Sequence, residues 1–125
     1  MAAFVDANVI AKAFLVNPEQ ELCLSVLREE FVTDMVCLLE AKNAISRISG
    51  SREYASDSIR SVLKSNCVVV PVDSIILASC LKSYAHNTLD AFDSMHYTIA
   101  LLNGCSEIVS YDKDFDNLTI KRTQP

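Results

Sequence analysis

Short apolar runs alternate along this chain with longer stretches in which hydrophobic positions recur at helical spacing. Ala2–Val5 predicts a short buried strand, and Ala7–Phe14 a helix broken at Asn17-Pro18. Glu19–Glu30 predicts an amphipathic helix with Leu22, Val26 and Leu27 on its apolar side. Phe31-Val32 predicts a brief strand. Thr33 then stands where an N-cap would open a helix from Asp34 to about Ile48, ended by Gly50. A more polar helix follows over Arg52–Ser65. Asn66–Val70 is a strong strand pattern stopped by Pro71. Asp73 caps a helix to about Ala85, His86-Asn87 turns the chain, and Thr88 caps a helix over Leu89–Leu102 that Asn103-Gly104 ends. Glu107–Ser110 and, more weakly, Leu118–Lys121 predict the last strands. Strands alternating with helices predict an α/β domain around a mainly parallel sheet of four or five strands.

Composition narrows the class. At 125 residues, half of them hydrophobic, the chain is expected to form one domain with a core that needs no staples. Met1–Val5 lacks the basic start and long apolar run of a signal peptide, and no run is long enough for a membrane span. A soluble, cytoplasmic protein is expected. The five cysteines are scattered, odd in number and without metal-ligand spacing, which reads as buried thiols in a reducing compartment. With only two glycines there is no Gly-rich phosphate loop.

Four acidic residues change the picture: Asp6, Glu40, Asp93 and Asp112 follow or interrupt apolar segments. Carboxylates placed where a core is expected cost several kcal/mol (about 2–7 per polar group) unless paired, hydrogen-bonded or bound to metal. Asp6 ends the first strand and Asp112 lies just past the Glu107–Ser110 strand, and functional groups of open parallel sheets gather at carboxyl ends. The net charge of −5 argues against a large basic nucleic-acid patch, yet setting the four aside leaves 12 acidic against 11 basic residues. A metal-bridged phosphate remains compatible with that balance.

Helical geometry places the rest. Cys37, Ala41, Ala44, Ile45 and Ile48 form one stripe, with Glu40, Asn43 and Arg47 together beside it, either as a surface cluster or as the edge of a site. Asp93 lies in a helix apolar on most sides, the mark of a central helix. Asp90, one turn earlier, reads as a cap or a second-line ligand. His96 is either a packed, hydrogen-bonded histidine or a residue of the site edge, and His86 a surface turn residue. Asp114 is a lesser candidate in Asp112-Lys113-Asp114-Phe115-Asp116.

Four segments resemble the motifs of PIN-domain nucleases: Phe4-Val5-Asp6-Ala7-Asn8-Val9-Ile10; Glu40 followed by Asn43; Asp93-Ser94-Met95-His96-Tyr97-Thr98-Ile99-Ala100 ending at Gly104; and Ile108-Val109-Ser110-Tyr111-Asp112-Lys113-Asp114-Phe115. The size resembles stand-alone PIN proteins that act as toxins of prokaryotic toxin–antitoxin pairs. The resemblance implies a three-layer α/β/α fold, a Mg²⁺ or Mn²⁺ site, endoribonuclease activity on RNA, a homodimer and a small antitoxin partner. On it, Asp6, Glu40, Asp93 and Asp112 form the catalytic, metal-binding set, with Asn8 orienting Asp6 or a bound water; Lys12, Asn43 and Arg47 read first as ordinary surface residues and second as phosphate contacts. The segment between Glu40 and Asp93 follows no motif, so no substrate preference carries over. Two other classes compete: a non-catalytic PIN-like module binding RNA or protein, and an aspartyl-phosphate phosphatase or receiver domain. A phosphatase of that type needs a second Asp where this chain has Asn8.

Overall fold

The computed structural model describes residues 2–125. Its sheet has five strands, β1 (Ala3–Val5), β2 (Phe31–Asp34), β3 (Cys67–Val70), β4 (Glu107–Val109) and β5 (Lys121–Thr123). They lie in the order β3-β2-β1-β4-β5, and every neighbouring pair is parallel. Phe4 pairs with Val32 on one side and Ile108 on the other, so β1 is central. The chain winds outward from β1 to β3 on one side, then returns to β4 on the other. The boundary between β1 and β4 is the point where connection direction reverses, and there a crevice opens beyond the carboxyl ends.

Alternation along each strand builds the three layers. Phe4 and Ile108 face one side, where they pack with Cys80 of α5 (Ser74–Tyr84) and Met95 and Ile99 of α6 (Ala91–Leu102). Val5 and Val109 face the other. There they meet Val9 and Ile10 of α1 (Ala7–Ala13), Leu27 of α2 (Gln20–Arg28), Ile45 of α3 (Met35–Ser49) and Val62 of α4 (Arg52–Leu63). Gly50 takes a left-handed φ of 75° and donates its N–H to the Ser46 carbonyl at 3.0 Å, ending α3 as expected. Among the described residues no helix is long and apolar enough to cross a membrane.

Several expected boundaries move. Thr33 is not the cap of α3: it stays in β2 and donates its hydroxyl to the Val5 carbonyl at 2.9 Å. Asp34 caps instead, accepting the Cys37 N–H at 2.7 Å. β2 therefore runs through Asp34, twice as long as the Phe31-Val32 run, because β-branched Thr33 extends it. Likewise Asp90, not Thr88, caps α6, which starts at Ala91. On α2 the buried residues are Cys23 and Leu27, whereas Leu22 is exposed. The last strand is Lys121–Thr123 rather than Leu118–Lys121: Leu118 and Ile120 pack onto the core from a turn segment, and pairing starts only with the polar residues after them. Ile48, placed on the buried stripe of α3, is exposed.

Candidate active site

Asp6 is the first residue beyond β1 and caps α1. Its Oδ1 accepts the Ala7 N–H at 2.8 Å and its Oδ2 the Ser110 hydroxyl at 2.7 Å. The Asn8 amide donates to the same Oδ2 at 3.4 Å and to Ser110 Oγ at 3.2 Å, while Asn8 Oδ1 accepts the Tyr111 N–H at 3.3 Å. Ser110 Oγ also accepts the Asp112 N–H at 3.0 Å. Asn8 and Ser110 thus tie the end of β1 to the loop after β4 and fix Asp6 relative to Asp112. Burial raises the Asp6 carboxyl above its ordinary value, against the lowering by Ser110, His96 and the Ala7 N–H, and Glu40 pushes it up further.

Asp112 caps the 3-10 turn Lys113–Phe115 by accepting the Asp114 N–H at 2.9 Å. Asp93, in the first turn of α6, donates its own N–H to the Asp90 cap at 2.9 Å. The carboxylates of Asp93, Asp112 and Asp114 come within 4.8 Å of one another. Burial first, then the charges of Asp90, Asp112 and Asp6, push the Asp93 carboxyl up to about 7. The native fold therefore favours the protonated carboxyl, and that benefit disappears as pH rises from 3.8 through about 7. Asp93→Asn is accordingly expected to raise the melting temperature of the metal-free protein at pH 8. Scanning calorimetry of both proteins checks it, and a lower value in the variant contradicts the repulsion. Hard oxygen donors that repel one another within a few ångströms fit Mg²⁺ or Mn²⁺, which relieve that repulsion.

Behind the acidic trio lies a second, buried cluster. His96 sits on α6 with Nδ1 at 2.5 Å from Asp34 Oδ2 and Nε2 at 2.7 Å from Glu40 Oε1. His96 and Asp34 are fully buried, while the Glu40 side chain is 44% exposed. Burial alone lowers the imidazole pKa, but hydrogen bonds to Asp34, Cys37 and Glu40 outweigh it and raise it, so His96 is an imidazolium donating from both nitrogens. Cys37 Sγ lies 3.5 Å from His96 Nδ1 and 3.8 Å from Asp6 Oδ1, and burial pushes its thiol up to about 12. Asp6, Cys37 and His96 have the mutual spacing of metal ligands. With both ring nitrogens engaged and the thiol protonated, that trio is a hydrogen-bonded cluster, not a soft-metal site.

The structure thus gathers Asp6, Asn8, Asp93, Asp112 and Asp114 at the β1–β4 crevice, with Glu40 reaching it through His96. His96 turns out to be both packed and at the site edge, and Asp114 belongs with Asp93 and Asp112. Asp90 is the α6 cap. Lys12 is engaged elsewhere, 3.7 Å from Glu19 and 4.9 Å above the Tyr111 ring, and Asn43 and Arg47 are exposed on α3. Asp34 was absent from the sequence candidates. Its sign was an Asp directly after a β-branched strand residue and three positions before Cys37, a cap pattern that Thr33 obscured.

A wholly parallel sheet in this order, with carboxylates converging where its connections reverse, defines a class of α/β proteins with a polyacidic crevice. The chain belongs to the PIN-domain family, whose profile matches residues 3–121. Among solved structures, the chain is similar to VapC20 of Mycobacterium tuberculosis, described as a Sarcin-Ricin loop cleaving toxin. The TM-score is 0.82 at 15% identity, over 99% of this chain and 100% of that one. A toxin–antitoxin complex from Klebsiella pneumoniae aligns with TM-score 0.76 at 13% identity, over 98% of this chain and 97% of that chain. No curated protein matches the sequence significantly. At these identities the structural likeness speaks for the fold.

Proposed function

We propose that the protein is a Mg²⁺- or Mn²⁺-dependent endoribonuclease and the toxin of a type II toxin–antitoxin pair. The observation that carries this reading is the convergence of Asp93, Asp112 and Asp114 beside Asp6, with Asp93 pushed to about 7 by burial and by its acidic neighbours. VapC20 is described as a Sarcin-Ricin loop cleaving toxin, and the Klebsiella structure as a toxin–antitoxin complex. Membership of the PIN-domain family and the shared fold support extending that chemistry to this chain.

When bound, a divalent ion supplies positive charge that polarises the scissile phosphate and acidifies an attacking water. The remaining work falls to the protein. Asp93, Asp112 and Asp114 would hold the ion, and Asp6 would face it from a position fixed by Ser110, Asn8 and the Ala7 N–H. Glu40 would act at the outer edge from its contact with His96. Ion binding requires Asp93 to release its proton. Mn²⁺ affinity is therefore expected to rise about tenfold per pH unit below pH 7 and to level off above it. Isothermal titration at pH 6, 7 and 8 measures this; a flat profile would contradict the assignment of Asp93.

The four acidic positions leave the rest of the chain nearly neutral, which favours RNA binding through a metal-bridged phosphate over a basic groove. The same reading makes residues 1–125 one catalytic unit acting in the cytoplasm, with a small antitoxin as protein partner. It also makes the protein a homodimer. Leu77, Leu81 and Tyr84 lie together on α5 and leave it with an exposed apolar side, which supports that assembly. The reading is tested by incubating the purified protein with a panel of structured and single-stranded RNAs, including a Sarcin-Ricin stem-loop. Metal-dependent internal cleavage is expected. Metal-indifferent binding without cleavage would favour a non-catalytic module, and a labelled aspartyl phosphate would favour a phosphatase.

A further inference from the structure

The Asp34–His96–Glu40 chain is longer than a structural ion pair requires. Asp34 and His96 already neutralise each other inside the protein, and no buried side-chain nitrogen or oxygen among the described residues lacks a partner. His96 nevertheless extends a second bond, 2.7 Å from Nε2, to a side chain that is 44% exposed at the mouth of the crevice. Glu40 has several rotatable bonds and would sample many rotamers from an open helix face. One of its oxygens is instead fixed by a ring that cannot turn, because Asp34 holds the opposite nitrogen from the first residue before α3. The three residues are far apart in sequence, with 62 positions between Asp34 and His96 and 56 between His96 and Glu40, so only the folded β2–α3–α6 corner assembles them.

We infer that His96, locked by buried Asp34, is a positioning residue that holds the Glu40 carboxylate at the crevice in one orientation. The inference rests on the nuclease reading of that crevice. Its geometric content is that Glu40 Oε1 is committed to the imidazolium while the second oxygen remains for an outer-sphere contact to ion, water or RNA. The place of Glu40 beside the acids follows from its partner: the His96 ring lies 3.5–3.7 Å from Cys37 Sγ, which is itself 3.8 Å from Asp6 Oδ1. His96 also counters the crevice's repulsion, since its charge favours the ionised forms of both Asp6 and Asp93. An orienting partner behind a ligand is a common arrangement around metal sites, and its loss typically weakens metal affinity or activity about 10–100-fold.

Conservative variants separate positioning from packing. The amide of Asn at position 96 falls near the place of Nδ1, so His96→Asn keeps a partner for Asp34 and abandons Glu40. The amide of Gln falls near Nε2, so His96→Gln keeps Glu40 and abandons Asp34. Mn²⁺ binding by electron paramagnetic resonance, with Mn²⁺ alone as the probe, is read alongside kcat/KM for RNA cleavage and the melting temperature. Positioning predicts that His96→Asn and Glu40→Gln each weaken Mn²⁺ binding about tenfold or more. The double variant should be no worse than either single one, and His96→Gln, which keeps the bond to Glu40 but loses the lock on it, should lose less Mn²⁺ affinity than His96→Asn while melting lower. A purely structural pair predicts the reverse order for the two His96 variants. The inference is overturned if His96→Asn binds Mn²⁺ as wild type does, or if the double variant's loss equals the product of the single losses. Wild-type protein that binds no Mn²⁺ overturns the nuclease reading together with the inference, and so is distinct from the failure of His96 alone.

Discussion

Asp6→Asn is expected to lower RNA cleavage on the order of 10²–10³-fold, the range for removing one preorganised electrostatic group from a site shielded from water. The fold should survive. Asn is as good an N-cap as Asp, so the bond from the Ala7 N–H to Oδ1 persists. The Ser110 hydroxyl, which already accepts from the Asn8 amide and the Asp112 N–H, loses its Oδ2 acceptor, a cost of about 1 kcal/mol. A buried carboxyl whose charge burial disfavours is also removed, so the melting temperature should hold or rise. The loss should fall in kcat rather than in RNA affinity if, as proposed, Asp6 acts on charge developed in the reaction. Single-turnover kinetics at saturating protein measure this. Cleavage within a few-fold of wild type would remove Asp6 from the catalytic set.

His96→Leu is expected to be the most damaging single change to stability. It leaves Asp34, fully buried, without its cationic partner, and breaking a buried pair from one side costs about 3–5 kcal/mol. For a chain of this size that corresponds to a fall of roughly 10–20 °C in melting temperature. Adding Asp34→Ser should recover much of the loss, since Ser still caps α3 while the unpaired charge disappears. The pH dependence carries a sign of its own. The folded-state pKa of His96 is raised above its ordinary 6.5. The stability it contributes is therefore complete below pH 6.5 and declines as pH rises above that value. The gap between wild type and His96→Leu should narrow in alkaline buffer. Denaturant midpoints at pH 6 and pH 9 decide it: an equal gap would mean that folding leaves the His96 pKa unshifted, and a widening gap that His96 is neutral in the native protein.

These two expectations differ in how readable they were from sequence. The parallel α/β sheet followed from local pattern, because apolar runs such as Cys67-Val68-Val69-Val70 and caps such as Asp73 act within a few residues. Asp6 and Asp112 were readable for the same reason: each ends a strand, and parallel strands bring their carboxyl ends to one edge. β5 was misplaced because Lys121-Arg122-Thr123 carries no hydrophobic alternation. Its position is set by pairing with β4 and by Arg122, which donates to the Ser110 carbonyl at 3.0 Å and to Asp116 at 2.7 Å. The Asp34–His96–Glu40 chain was hidden for a different reason. Its bonds join α6 to β2 and α3 across long sequence separations, and no helical periodicity reports such contacts. Asp34 in particular looked like the first residue of a helix whose cap was Thr33, when it is the cap itself. Asp114 was only a lesser candidate, because its place beside Asp93 depends on the 3-10 turn after Asp112, which the sequence pattern does not report.

On the proposed function these carboxylates form a metal-dependent ribonuclease site. The most direct measurement is RNA cleavage by wild-type protein stripped with EDTA, dialysed free of chelator, and then titrated with Mg²⁺ or Mn²⁺. No cleavage is expected before metal is added, with saturable recovery afterwards and no recovery in Asp93→Asn. Undiminished cleavage in the presence of EDTA, or recovery by Asp93→Asn equal to wild type, would contradict it.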